Sequence, residues 1–335
     1  MRDRLAELGE RLQAADRFGD ALVPDSIARA QLGTGLPGLA LAHAYLGQEA
    51  AALRRLEETF AALPTAPGLS GGLAGVGWVV AHLAREGLLA SDPELLEPID
   101  ERLMNALVDL PHDWAFGLAG VIVYAIERGA TELGRAAADR LVELAEWHED
   151  HAWFRTRPDA RWLGADEAAR FPEGRFDLGM AHGAAGVVAA LRLATESFPD
   201  GARWRAVADA AQGTLGDGGM LDASRRPLAP PHRLGWCYGA PGILFAGGDA
   251  RAEGPLDGLG LCHGAAGVLT MARRLGDEVT AERALATLLS APPPEAPGLL
   301  DGVAGLALAL TALLDPRATA WQRLFLLPGS PGSSR

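Results

Sequence analysis

The stretch Gly302-Val-Ala-Gly-Leu-Ala-Leu-Ala-Leu-Thr-Ala-Leu-Leu314 carries no charge and a single hydroxyl. After its glycines it is apolar on every side of a helix, and such a helix must be buried all round. The G-x-x-G pair that opens it recurs at Gly35/Gly38, Gly72/Gly75, Gly117/Gly120, Gly183/Gly186, Gly239/Gly242 and Gly264/Gly267. Successive first glycines are 37, 45, 66, 56, 25 and 38 residues apart. Repeats of about 20–50 residues signal repeat architecture, and a helical hairpin fits this length. The glycines suit a crowded turn, offering φ freedom and close backbone approach. Pro37 and Pro241, inside their motifs, suit a first helical turn.

The segments between motifs are amphipathic. Leu53, Leu56, Phe60 and Leu63 share one face, with Arg54, Arg55, Glu57 and Glu58 expected toward water. Likewise Leu133, Ala137, Leu141 and Leu144 oppose Arg135, Asp139, Glu143 and Glu146. Buried and wet helices in alternation predict an all-α double barrel, an α/α toroid of about seven helical hairpins. An open solenoid would share the period but would expose apolar inner helices at both ends. The 25-residue step from Gly239 to Gly264 leaves Ile243 to Leu261 no room for an ordinary outer helix. The outer ring is therefore expected to be incomplete between repeats five and six. The 66-residue step holds Trp147 to Phe176, read either as a packed surface loop or as a substrate-facing flap. Residues 1–327 are expected to form one domain, and 328–335 a disordered tail.

Composition excludes several functions. All 30 basic residues of the 335 are arginine. Without lysine there is no pyridoxal phosphate Schiff base, no P-loop phosphate lysine and no kinase strand lysine. A formal net charge of −13 argues against a nucleic-acid partner. The N-terminus MRDRLAELGERL is charged and unlike a secretory signal. Glycines and prolines interrupt the long uncharged runs, so no membrane span is expected and a cytoplasmic location is.

Aligning the repeats on the first glycine places Thr34, Gly71, Phe116, His182, Tyr238, His263 and Asp301 just before it. One place earlier stand Gly33, Ser70, Ala115, Ala181, Cys237, Cys262 and Leu300. The only two cysteines thus share a register in consecutive repeats, with His263 beside one of them. A Cys₂His set is favoured by zinc, and three protein ligands leave a fourth position open, as at catalytic sites. Two buried cysteines and a capping histidine are the alternative, and the shared register weighs against it. His182, Tyr238, Arg233 (four residues before Cys237) and Asp113 (four before Gly117) fall on or near the same rim. Asp113 also reads as a helix cap, and Asp301 reads first as one.

The segments Ala181-His-Gly-Ala-Ala-Gly186, Trp236-Cys-Tyr-Gly-Ala-Pro-Gly242 and Cys262-His-Gly-Ala-Ala-Gly267 resemble the lanthionine synthetase C-like family, the lantibiotic cyclases. The likeness runs from about Gly33 to Leu314. It implies a toroid of seven hairpins with one catalytic zinc on Cys237, Cys262 and His263. It also implies an active-site set of His182, Tyr238, Arg233 and Asp113. The implied reaction adds cysteine thiols to dehydroalanine or dehydrobutyrine, giving (methyl)lanthionine thioethers in a ribosomally made peptide. The partners implied are a dehydrated precursor peptide and a separate dehydratase. Within the same chemistry, glutathione addition to dehydrated residues is an alternative, and a non-catalytic peptide-binding toroid is another. Carbohydrate hydrolysis by Asp113 and Asp301 would leave the Cys₂His set unexplained.

Overall fold

In every repeat, the second glycine lies where a Cβ would sit 2.0–2.4 Å from the carbonyl oxygen three residues before the first glycine. No side chain fits there, so the chain must be glycine where it doubles back to start its helix. The first glycine caps that helix with φ between −99° and −152°, an extended conformation open to any residue. Close approach, and not the φ freedom expected from the sequence, is what the motif uses.

The computed structural model describes residues 1–17, 29–160, 163–199, 201–229, 234–251 and 254–327. Seven helices follow the seven motifs: Leu36–Tyr45, Leu73–Arg85, Leu118–Arg128, Ala184–Ser197, Ala240–Phe245, Ala265–Leu275 and Val303–Leu314. They are buried through most of their length. The loops that start them are joined by one closed ring of backbone hydrogen bonds. Gly33 donates to Ser70, Ser70 to Ala115, Ala115 to Ala181 and Ala181 to Cys237. Cys237 then donates to Cys262, Cys262 to Leu300 and Leu300 back to Gly33, all at 2.9–3.3 Å. A solenoid would leave the first and last loops unpaired, whereas here the seventh returns to the first. The all-α toroid closes.

Outer helices Glu49–Ala61, Glu97–Ala106, Thr131–Glu143, Ala202–Gln212 and Glu278–Ser290 wrap this barrel. The N-terminal helix Arg2–Arg17 packs on the seventh inner helix and supplies a sixth. Among the described residues no helix lies between Phe245 and Ala265, so the outer ring is open there as expected. The wet face of Glu49–Ala61 is rotated from its expected position. Arg55 is buried and Leu53 exposed, because Ala52, Arg55 and Thr59 form the contact stripe. Arg55 keeps its charge paired with Glu58 at 2.6 Å.

The segment Trp147 to Phe176 is no plain loop: it carries short strands and a short helix, Ala165–Arg170. Strands β1 (Glu146–His148) and β2 (His151–Trp153) form an antiparallel hairpin. Strands β3 (Arg155–Thr156), β4 (Arg175–Asp177), β5 (Met220–Asp222) and β6 (Pro227–Ala229) form a sheet in that order. β4 leads into the loop carrying His182, and β6 precedes the loop carrying Cys237, so the sheet flanks that arc of the rim.

The C-terminal turns, Pro316–Phe325, occupy the barrel axis. Arg323 bonds Glu86 and Glu127, at the ends of the second and third inner helices, and Gln322 accepts from Arg274 in the sixth. The Leu324 and Phe325 carbonyls accept the indole N–H groups of Trp114 and Trp236, in the third and fifth rim loops. Only an axial segment can reach so many repeats. No helix among the described residues is long and apolar enough to cross a membrane. The tail at 328–335 lies outside the described residues.

Candidate metal centre and the rim around it

The backbone ring sets the spacing of the site. Cys237 and Cys262 are consecutive members of it, joined by the Cys237 N–H donating to the Cys262 carbonyl at 3.2 Å. Their side chains and that of His263 therefore emerge side by side. One ligand atom from each of Cys237, Cys262 and His263 lies within 4.8 Å of the others. Cys237 is buried, while Cys262 and His263 are half-buried, so the cluster opens toward the mouth. Both cysteines are free thiols. The Cys237 thiol is pulled down to about 5 by hydrogen bonding with Cys262 and, against the opposing effect of burial, by His263. A depressed thiol is a competent metal ligand at neutral pH.

Beside the cluster, three rings follow one another along the mouth. Phe116 stacks on His182 with centroids 5.7 Å apart, and His182 on Tyr238 at 5.9 Å. Asp113, only 1% exposed, places Oδ1 3.6 Å from His182 Nδ1. The same oxygen accepts the Phe116 N–H at 2.7 Å. Asp113 thus closes its own loop and faces the histidine of the next repeat, while the helix that follows is capped by Gly117 with no side-chain hydrogen bond. Burial, reinforced by Asp177, keeps the Tyr238 phenol well above its ordinary value and therefore protonated. Arg233 lies outside the described residues.

The position four before the first glycine was legible in the sequence beyond Asp113 but carries a register of its own. It holds Gln31, Gly68, Asp113, Gly179, Gly235, Gly260 and Gly298. Each faces the residue just before the first glycine of the next repeat. A Cβ at Gly68, Gly179, Gly235, Gly260 or Gly298 would come within 2.7–3.1 Å of Phe116, Tyr238, His263, Asp301 or Thr34. Five of the seven are glycine so that the neighbour can close in, and Asp113 is an exception that puts a carboxylate against His182.

A second layer, not expected from the sequence, lies beneath Tyr238. Asp177 is fully buried and accepts from Thr156 Oγ1 at 2.7 Å and from Arg175 Nε at 3.1 Å. Arg175 also pairs with Glu167. His112, next to Asp113, reaches the His182 carbonyl through Nε2 at 3.3 Å, and burial lowers its pKa and keeps it neutral. These residues come from β3, β4, the short helix Ala165–Arg170 and a rim loop, and no period in the sequence joins them.

The family model for "Lanthionine synthetase C-like protein" matches residues 26–326. Among solved structures, "Nisin cyclase" superposes with a TM-score of 0.74 at 19% identity, covering 95% of this chain and 96% of that one. At that identity the likeness speaks for the fold. No curated protein matches.

Proposed function

The chain belongs to the lanthionine synthetase C-like proteins, and on that premise we propose that it is a zinc-dependent peptide cyclase. It would join cysteine thiols to dehydroalanine or dehydrobutyrine residues of one peptide, forming (methyl)lanthionine. The observation that carries this reading is the Cys237, Cys262 and His263 donor set opening onto the same mouth as His182 and Tyr238. Two thiolates and an imidazole suit zinc and leave a coordination position for substrate. Zinc held there would supply Lewis acidity that favours ionisation of a substrate thiol.

The remaining work falls to side chains of the rim. Addition of a thiolate to the β-carbon leaves negative charge on the α-carbon and its carbonyl. Tyr238, protonated and half-buried, would donate a hydrogen bond to that oxygen. His182, beside Asp113 and stacked between two rings, would deliver the proton to the α-carbon. The reaction is an isomerisation, so no atom is lost. In this reading the dehydration of serine or threonine precedes the step and is the work of a dehydratase.

The test is incubation with a dehydrated, cysteine-containing precursor peptide. Peptide mass should stay constant while free thiols disappear to an alkylating reagent, and chelation of zinc should restore alkylation. Thiols that remain reactive, or a mass gain when glutathione is present, would replace this reading with simple peptide binding or with glutathione addition.

A further inference from the structure

We infer that Asp301 is a positioning residue for the metal centre, orienting the His263 imidazole, an inference that rests on the zinc reading above. Asp301 follows His263 around the mouth, in the same register of the next repeat. Its Oδ1 lies 3.6 Å from His263 Nδ1, the same separation that joins Asp113 to His182. The capping role expected from its position is not the one it takes. The helix it precedes is capped by Gly302 with no side-chain hydrogen bond, whereas Asp277 and Asp315 do cap theirs.

The backbone holds Asp301 in that place. A Cβ at Gly260, three residues before His263, would lie 2.8 Å from Asp301 Oδ1 and 2.7 Å from its Cα. The carboxylate therefore rests against the loop that carries the ligand. An imidazole has one proton for two nitrogens, and a carboxylate beside Nδ1 draws the proton there. The lone pair is then left on Nε2, the nitrogen available to a metal. A metal-bound histidine generally donates its other N–H to such a partner, and losing that partner costs about 10–100-fold in metal affinity.

The test is zinc affinity, measured on the full chain by competition with a chromophoric chelator. Asp301→Asn should weaken zinc binding by roughly 10–100-fold, with Asp301→Glu recovering part of the loss. With cobalt(II) substituted, Asp301→Asn should keep the absorption of a two-thiolate tetrahedral site, because Asp301 is not a ligand. Far-UV circular dichroism should be unchanged, since the side chain is more than half exposed. Zinc held by Asp301→Asn within twofold of the parent would overturn the inference, as would a changed cobalt spectrum. A parent chain that binds no zinc would overturn the functional reading and this inference together.

Discussion

Each end of the inner barrel gathers three metal-type donors within 4.8 Å, and the two ends use them oppositely. At the mouth, Cys237, Cys262 and His263 open toward solvent. At the floor, His82, Glu86 and Glu127 surround the guanidinium of Arg323, which bonds both oxygens of Glu127 at 2.7 and 2.9 Å and Glu86 at 2.6 Å. His82 has both ring nitrogens engaged, by Tyr45 Oη at 2.8 Å and by Glu127 at 2.8 Å. Burial keeps His82 neutral, and hydrogen bonds from His82 and Arg323 overcome burial to hold Glu127 at about 2. The floor already contains its cation, on the axial C-terminal segment. Donor spacing alone does not define a metal centre; what else points at the donors does.

That contrast is most sharply broken at the mouth. Cys237→Ala should reduce bound zinc from one per chain to almost none by elemental analysis and abolish thioether formation. Full occupancy in this variant would mean that the metal is held elsewhere. Next in size is His182→Asn. It should retain zinc and fold while slowing cyclisation by roughly 10²–10⁴-fold, the usual contribution of a general acid; loss of zinc would make His182 a ligand.

The floor should respond in stability instead. Arg323→Met leaves Glu127 buried without its cation and should cost about 3 kcal/mol at neutral pH, with zinc content unchanged. The pH dependence fixes the sign. Because Glu127 titrates at about 2 in the fold against 4.5 ordinarily, its ionised pairing stabilises fully above about 4.5. That contribution is lost as pH falls toward 2. Denaturant unfolding should therefore show the gap between parent and variant narrowing across that window. A gap independent of pH would mean that Arg323 acts by packing alone.

Much of the mouth was legible in the sequence because it is built by repetition. A shared register transmits directly into space when every loop makes the same hydrogen bond to the next, so the alignment of Cys237 with Cys262 implied adjacency. The same logic makes Asp113 conspicuous, standing where five other repeats carry glycine. The small sheet was not legible: strands of two or three residues are shorter than any period that identifies them. Nor was the floor, where Arg323 meets His82 across 241 residues of chain.

By itself the sequence determined the seven inner helices, the gap in the outer ring and the convergence of cysteines and histidines at one rim. These follow from local pattern, a glycine wherever backbone meets backbone and apolar residues wherever a helix is enclosed. Only the tertiary structure decided which backbone groups close the expected ring, Leu300 back to Gly33, and that Pro316–Phe325 fills the axis. It alone decided too that Asp301 turns to its neighbour's histidine and leaves its own helix uncapped. Those are choices among partners distant in sequence, and the packing of the whole barrel makes them.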